Sequence, residues 1–431
     1  MARSVAPLAW LEAPRRRDFL SFLSARGLVA MATQVQNVAI GWMVYEMTGE
    51  AMSLGYVGLA LFLPVLACTL PAGDAADRFD RRTVMALSYA AQAAGAAALA
   101  LLAHSGAGGT APVYAVLACI GAARALAGPS QQSMVPLLVP RESIGRAIAW
   151  TTSAFKVAFV AGPALGGALL VAGPAIAFAV AFAALVLALA AILSVRASGR
   201  GEATPGEDGP RWRRLLVGID HVRRHEVILG AISLDLFAVL LGGATALLPI
   251  YARDILAVGP EGLGMMRSAP AVGGTAMAVL LAWRPIERRV GAWILGAVAA
   301  FGAATIAFGL STSFAFSLAA LVAMGAADMV SVFVRQTVIQ TATPDAMRGR
   351  VSSVNLLFVG ASNELGDFES GLVAAWAGAM PAVVIGGVGT IAVVGIWSRA
   401  FPALRRLDRF ADAAPPGPGA PASLSGRRRG L

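Results

Sequence analysis

Residues 73 to 82 read "GDAADRFDRR", six charges in ten positions, set between two long apolar runs, Ser53 to Ala72 and Val84 to Leu102. Composition settles what so charged a stretch does there. The 431-residue chain is 58% hydrophobic and only 13% charged, with a mean hydropathy of +0.72, whereas soluble domains carry about a quarter charged residues. Segments of about 20 apolar residues recur along nearly the whole length, each long enough to cross a hydrocarbon core of about 30 Å as a helix. Twelve are counted, at roughly 19–45, 52–72, 83–104, 111–135, 145–172, 174–195, 226–251, 262–283, 291–310, 313–339, 351–375 and 380–399. The quoted stretch is then the loop between spans 2 and 3 of an all-α, multi-pass membrane protein.

Loop charge orients the spans, because Lys and Arg resist translocation and collect on the cytoplasmic side. Arginine gathers in the termini and the even-numbered loops: Arg15 to Arg17, Arg78/Arg81/Arg82, Arg141/Arg146, Arg211 to Arg224, Arg284/Arg288/Arg289, Arg348/Arg350 and Arg405/Arg406/Arg409. The odd-numbered loops hold one, Arg253. Both termini are therefore expected in the cytoplasm, with the protein in the cell (inner) membrane. The net charge of +10 is a topology signal that calls for a bilayer and for no nucleic acid. The acidic residues and missing small-residue cleavage site near the N-terminus predict no signal peptide. Cys68 and Cys119 fall inside spans 2 and 4 with no metal spacing, so both read as packing residues.

The chain divides into a cytoplasmic N-terminus (1–18), a first six-span bundle (19–195), a linker (196–225), a second six-span bundle (226–400) and a Pro/Gly/Ala-rich tail (401–431) expected to be disordered. The linker ends in a basic segment with an apolar face, Trp212, Leu215, Leu216, Ile219 and Val222, which predicts an interfacial helix. The halves repeat each other. At an offset of 204, Gly121, Ala122, Ala123, Gln132, Pro140, Gly145, Arg146, Gly162 and Gly167 meet Gly325, Ala326, Ala327, Gln336, Pro344, Gly349, Arg350, Gly366 and Gly371. A duplicated six-helix unit resembles the major facilitator transporters, whose two pseudo-symmetric bundles rock about a midplane site.

Further motifs are similar to that family. Gly73, Asp77, Arg78, Arg81 and Arg82 resemble its loop 2–3 signature, which implies a cytoplasmic gate latching the two bundles. The family usually has Gly where this chain has Asp80, so the turn is expected to differ there. Arg124 with Gly128 resembles a family pattern in span 4, and "GPALGG", with Gly162, Pro163, Gly166 and Gly167, resembles a Gly-Pro motif found mainly in antiporters. Small residues there also suit plain helix packing. "LDLFAVLLGGATALLPIYARDIL" (234–256), "VRQTVIQTATPDAMRGRVSSVN" (334–355) and "SNELGDFESG" (362–371) look like the enterobactin-exporter-like branch, similar to transmembrane secretion effectors. The resemblance implies export of a siderophore-like or drug-like amphiphile.

A charge at the bilayer centre costs about 2.5 to 3.5 kcal/mol on insertion scales, so each is a functional candidate. The first half carries only bases at depth, Arg26, Arg124 and the sole lysine, Lys156; the second carries Asp235, Arg267, Asp328, Arg335, Glu364, Asp367 and Glu369. At offset 204 Arg124 falls opposite Asp328, and at offset 209, anchored by Leu54-Gly55 on Leu263-Gly264, Arg26 falls opposite Asp235. Those pairs are expected to face each other across the cavity. Proton-coupled antiport predicts Asp235, Asp328 and Glu364 as the titrating groups, modulated by Arg124. Substrate contacts are expected from Arg26, Gln34, Asn37, Lys156, Arg335, Asn363 and Asp367. Arg26, Arg124 and Lys156 would make the first bundle an anion-attracting wall; the alternative is a set of static buried pairs fixing helix register. Trp42, Tyr45, Trp283 and Trp376 near span ends predict interfacial anchors.

The three histidines, His104, His221 and His225, show no metal spacing, and no nucleotide-phosphate loop occurs. No metal, cofactor or catalytic residue is expected; the expected partners are the bilayer, protons and a small-molecule substrate, and the expected state is a monomer. A downhill facilitator or importer and a non-transporting receptor or scaffold are the rival classes.

Overall fold

A backbone in lipid must satisfy its polar groups internally, and every apolar run here does so as a helix. The computed structural model describes residues 13–106, 109–197, 199 and 211–413. Span 1 is Ala13–Thr48, span 2 Ala51–Arg78, span 3 Arg81–Ser105, span 4 Thr110–Leu138, span 5 Ile144–Leu170 and span 6 Pro174–Ser194. After the linker helix Arg211–Arg224, span 7 starts at Glu226–Leu241; span 8 is Gly259–Trp283, span 9 Val290–Gly309, span 10 Phe314–Ala342, span 11 Asp345–Ala377 and span 12 Ala379–Ala400. Ten of these have the length and apolarity to cross a membrane by composition alone. The other two, spans 1 and 11, are dense in polar side chains: Gln34, Gln36 and Asn37 in one, Asn355, Asn363, Glu364, Asp367 and Glu369 in the other.

The two halves close on themselves through the same helix pairs. Span 2 packs on span 4 and span 8 on span 10; span 3 packs on spans 4 and 6, and span 9 on spans 10 and 12. Residue contacts repeat the sequence offsets. A Cβ on Gly121 would collide with the Leu61 carbonyl, and one on Gly325 with the Pro270 carbonyl. The first members differ by 204 and the second by 209. Gly162 lies against Gln34 of span 1, and Gly366 against Val239 and Leu240 of span 7. A pseudo-twofold therefore relates two six-helix bundles, and helices at glycine approach closely because no side chain intervenes.

Span 7 departs from the continuous helix expected over 226–251. It breaks at Gly242-Gly243, continues as a tight turn at Ala244–Leu247, and ends in a widened helical turn at Tyr251–Ile255. Gly243 has no side chain to hold span 11 away, since a Cβ there would sit 2.6 Å from the Gly366 carbonyl oxygen. At the 2–3 loop, Asp80 takes the place of the expected turn glycine by capping span 3. Its carboxylate accepts from the backbone N–H of Arg82 at 2.9 Å and Thr83 at 3.3 Å, and an N-cap needs no left-handed backbone.

Other expectations change on sight of the packing. The linker helix docks on the second bundle: Val222 is buried with Ile228, Ile339, Val351 and Val354, and Gly218 lies against Arg350 and Val354. Trp212 and Leu215, predicted to complete its apolar face, have side chains outside the described residues. Residues 401–413, assigned above to a disordered tail, fold back onto the bundle, burying Leu404 and Leu407 and pairing Asp408 with Arg288; residues 414–431 lie outside the described residues. Cys119 is exposed on span 4, so only Cys68 is partly packed. Trp283 and Trp376 are 80% and 86% exposed, as interfacial anchors should be, whereas Tyr45 is buried between the bundles.

Candidate functional site

The bundles meet at the end of the molecule opposite the start of span 1 and the end of span 12, and glycine makes the meeting possible. Gly167, near the end of span 5, packs on Gly264 at the start of span 8; Gly371, near the end of span 11, packs on Gly55 at the start of span 2. These are the same contact repeated by the pseudo-twofold, because 167 and 371 differ by 204 and 55 and 264 by 209. Gly162 and Gly166 of the Gly-Pro motif face span 1, and the Pro163 carbonyl faces Gly264. The motif thus serves both packing within a bundle and closure between bundles. Tyr45 adds a polar clasp at this end. Its hydroxyl donates to the Asp254 carboxylate, its carbonyl accepts from Arg253 Nη1 at 3.4 Å, and the Arg253 guanidinium lies 5.7 Å from its ring centre.

Directly beneath the closed end lies a cavity built from both bundles. Span 1 contributes Asn37, Ile40 and Gly41, span 2 Leu54, Val57, Gly58 and Leu61, and span 4 Arg124. The second bundle contributes Ala246 from the broken part of span 7, Arg267 from span 8, and Glu364 and Asp367 from span 11. Glu364 and Asp367, three residues apart, share one helix face. Arg124 is oriented from its own bundle, with Nη2 donating to Gln36 Oε1 at 3.2 Å and Nη1 to Asn37 Oδ1 at 3.4 Å. Glu364 lies within electrostatic reach of both arginines, and Asp367 within reach of Arg267. Yet among the described residues neither guanidinium has a carboxylate oxygen within 4.0 Å. The Nε atoms of Arg124 and Arg267 and the Gln36 amide nitrogen are buried without a partner.

A second, smaller cavity lies inside the second bundle, lined by Asp235, Ala238, Val298, Phe301, Asp328 and Ser331. Here the charges do pair. Arg335 Nη1 sits 2.6 Å from Asp235 Oδ2 with both side chains at most 5% exposed, and it also donates to Asn355 Oδ1 at 3.3 Å. Asp328 is under the influence of Asp235, Arg335 and Lys156. Lys156, from span 5 of the opposite bundle, is exposed.

The expected cross-cavity pairs do not form. Arg124 is coupled to Glu364 instead of Asp328, and Arg26, expected opposite Asp235, lies 5.8 Å from the Phe22 ring centre and beside Tyr89 within the first bundle. Gln34 is buried under Gly162, Arg335 is engaged by Asp235, and Asn363 bonds Val359 of its own helix at 2.9 Å on an exposed face. Of the expected substrate contacts, Asn37 and Asp367 line the central cavity, and Arg26 and Lys156 do not join Arg124 in a wall there. In the gate loop Gly73 is buried and Arg78 exposed, while the Asp77 side chain falls outside the described residues. The Arg81 N–H donates to the Gly199 carbonyl and Arg82 Nη1 to the Val195 carbonyl, so these contacts tie the loop to the end of its own bundle. Arg267, one of the intramembrane charges but not among the expected substrate contacts, lines the cavity, and Gln36, one of the polar triplet of span 1, orients Arg124 there.

The sequence profile of the transmembrane secretion effector family matches residues 9–428. The chain is 31% identical over 404 residues to the multidrug efflux pump Tap of Mycobacterium tuberculosis, covering 90% of this chain and 94% of the pump. It is 26% identical over 341 residues to the enterobactin exporter EntS of Escherichia coli, covering 78% of each. Among solved structures, a bacterial homologue of the human lysosomal transporter Spinster, inward-facing and occupied, superposes with a TM-score of 0.74 at 16% identity, over 92% of this chain and 99% of that one. The chain belongs to the transmembrane secretion effector family, within the major facilitator superfamily of membrane transporters.

Proposed function

We propose that this transporter exports an amphiphilic small molecule from the cytoplasm by alternating access, driven by protons moving the other way. The observation that carries the proposal is the charged cavity between the bundles, sealed at one end by paired glycines. The arginine-rich loops support cytoplasmic termini, and on that reading the sealed end is the outer one and the conformation is inward-facing. Relatives named as a multidrug efflux pump, an enterobactin exporter and a staphyloferrin A transporter support a solute of siderophore-like or drug-like size.

Rocking then has named parts. Separation of Gly167 from Gly264 and of Gly371 from Gly55, with release of Tyr45 from Asp254, opens the outer end. On the cytoplasmic side Lys156 and Asp328 stand on opposite bundles and would approach as that side closes. Glu364 and Asp367 face the cavity, so both can exchange protons with its contents; Asp328 and Asp235 form a second, interior set whose charge Arg335 holds. Arg124 modulates Glu364 across the bundle boundary. The transporter works as a monomer in the bilayer.

Deletion of the gene followed by metabolite profiling should reveal a compound retained in cells and depleted from medium. In liposomes that compound should drive proton flux through the wild-type protein. Glu364→Gln and Asp328→Asn should each uncouple the flux from transport. Wild-type coupling in both variants would overturn the proton assignment, and the absence of any retained compound would overturn export.

A further inference from the structure

Resting on the central cavity as the solute site, we propose that its solute is a zwitterion, with an anionic group held between Arg124 and Arg267 and a cationic group held by Glu364 and Asp367. The same protein shows both ways of treating a buried charge. In the second bundle Arg335 and Asp235 close to 2.6 Å and are nearly sealed from solvent, which silences both charges. In the central cavity two arginines and two carboxylates stand together, and among the described residues none of them is ion-paired. Each is only partly buried and retains hydrogen-bonding capacity that no carboxylate or guanidinium partner uses, which leaves it available to a solute.

Glycines bring the opposite bundle close to two of these groups. Gly41 packs on Pro249, with Arg267 Nη2 3.8 Å from where its Cβ would be, and Gly58 packs on the Glu364 carbonyl and Asp367 Cβ, with Glu364 Oε2 at 3.7 Å. Arg124 is pre-aimed by Gln36 and Asn37, and its Nε and the Gln36 amide nitrogen remain free. Arg267 has no hydrogen-bond partner of its own among the described residues, and its Nε is buried.

Charge balance selects the solute. In the state with both carboxylates ionised the four groups sum to zero, so a monoanion satisfies the arginines and strands two carboxylates, while a monocation does the reverse. Only a solute of zero net charge with separated ends satisfies all four at once. The remaining wall, Ile40, Leu54, Val57, Leu61 and Ala246, is apolar and suits a hydrocarbon or aromatic body between the two ends.

Three dansyl probes sharing one body test this on the full-length protein in nanodiscs: dansyl-lysine with its free amino acid end (zwitterion), its methyl ester (cation) and its N-acetyl derivative (anion). The zwitterion should bind about tenfold or more tightly than either singly charged probe. Arg267→Gln should weaken the zwitterion and the anion but spare the cation, and Glu364→Gln should weaken the zwitterion and the cation but spare the anion. Should Arg267→Gln fold poorly, Arg267→Lys keeps the charge but loses the fork and should show a smaller loss of the same kind. A zwitterion that binds no better than the cation, or losses that ignore probe charge, overturns the proposal. That result, in a protein that still exports its cellular compound, would leave the transport reading standing.

Discussion

Gly264→Ala offers the sharpest test of how the outer end closes. A Cβ at that position would lie 2.6 Å from the Pro163 carbonyl oxygen, 2.9 Å from Gly167 Cα and 3.1 Å from Gly167 N, all of them backbone atoms that no rotamer change can move. Ordinary contact begins near 3.4 Å, so spans 5 and 8 must separate by roughly 0.8 Å at the tightest point. Overpacking of this kind costs about 1 to 3 kcal/mol, and because the contact exists only while the end is sealed, the whole cost falls on that state. The equilibrium should move toward the outward-open form by roughly 5-fold to 150-fold. The assay is labelling from outside by an impermeant maleimide at Asn37→Cys, in a background with Cys68 and Cys119 replaced by serine. The labelling rate should rise by that factor. Gly371→Ala, whose Cβ would stand 2.9 Å from Gly55 Cα and N, should behave alike, since the pseudo-twofold makes it the same joint. Gly296→Ala supplies the control, because nothing lies within 4 Å of its Cβ position. Alanine is the better helix former by about 1 kcal/mol, so thermal stability alone does not report the effect. If Gly264→Ala labels no faster than Gly296→Ala, the glycine pairs are not the seal.

Three further outcomes follow from named contacts. Arg335→Met should destabilise the second bundle by about 3 to 5 kcal/mol, because it strands the buried Asp235 carboxylate, and Asp235→Asn combined with it should recover part of that loss, as read by Tm in detergent. Tyr45→Phe removes the hydroxyl that donates to Asp254 and should raise outside labelling at Asn37→Cys without changing labelling from the cytoplasmic side. His221 stacks on His225 with ring centres 4.1 Å apart, and burial together with that neighbour holds its pKa below the ordinary value of about 6.5. A histidine depressed on docking binds fewer protons docked than free, so docking is intact above about pH 6.5 and weakens as pH falls below it. Hydrogen exchange over residues 216–224 should therefore speed up between about pH 7.5 and about pH 5.5 beyond the intrinsic change, and His221→Gln should remove most of the excess.

The fold was legible because the bilayer permits so few solutions. Length and hydropathy give twelve helices, loop arginines give an orientation, and the 204-residue echo of Pro140, Gly145 and Arg146 in Pro344, Gly349 and Arg350 gives the duplication. The intramembrane charges were legible as candidates for the same reason, since each is expensive. Their partners were not. Which residue Arg124 meets depends on the rotation of spans 1, 4 and 11 about their axes, and hydropathy is nearly silent on rotation when both faces are apolar. Equal spacing along a repeat suggested Asp328, and packing supplied Glu364. The break in span 7 had its signal in Gly242, Gly243 and Pro249, but an unwound turn buried against span 11 has the same hydropathy as a helix. Arg267 was legible as a charge in span 8, but its counterpart at offset 209 is Gly58, so the repeat assigns it no partner.

That asymmetry says how one duplication produced both a machine and a site. What moves is shared by the halves: Gly167 and Gly371, and Gly55 and Gly264, occupy equivalent positions and make equivalent contacts, as Gly121 and Gly325 do inside each bundle. What binds is not shared. The counterparts of Arg267, Glu364 and Asp367 are Gly58, Val160 and Pro163, and the counterpart of Arg124 is Asp328, which lies in a different cavity. Two bundles that part at one end must part on both sides of the pseudo-twofold at once, so the motion needs two equivalent joints there, and glycine contacts meet that need without regard to solute. A solute has no such symmetry, so its contacts must be free to differ from one half to the other. A Cβ on Gly58 would stand 3.3 Å from the Glu364 carbonyl oxygen and 3.7 Å from its carboxylate, milder contacts than the 2.6 Å approach at Gly264 but beside the charged site. Changing Gly58 to a larger residue should therefore impair solute binding more than the closure it sits beside, whereas changing Gly264 should do the opposite. Measured side by side as dansyl-lysine affinity and outside labelling at Asn37→Cys, a reversed order would show that joint and site are one structure and not two.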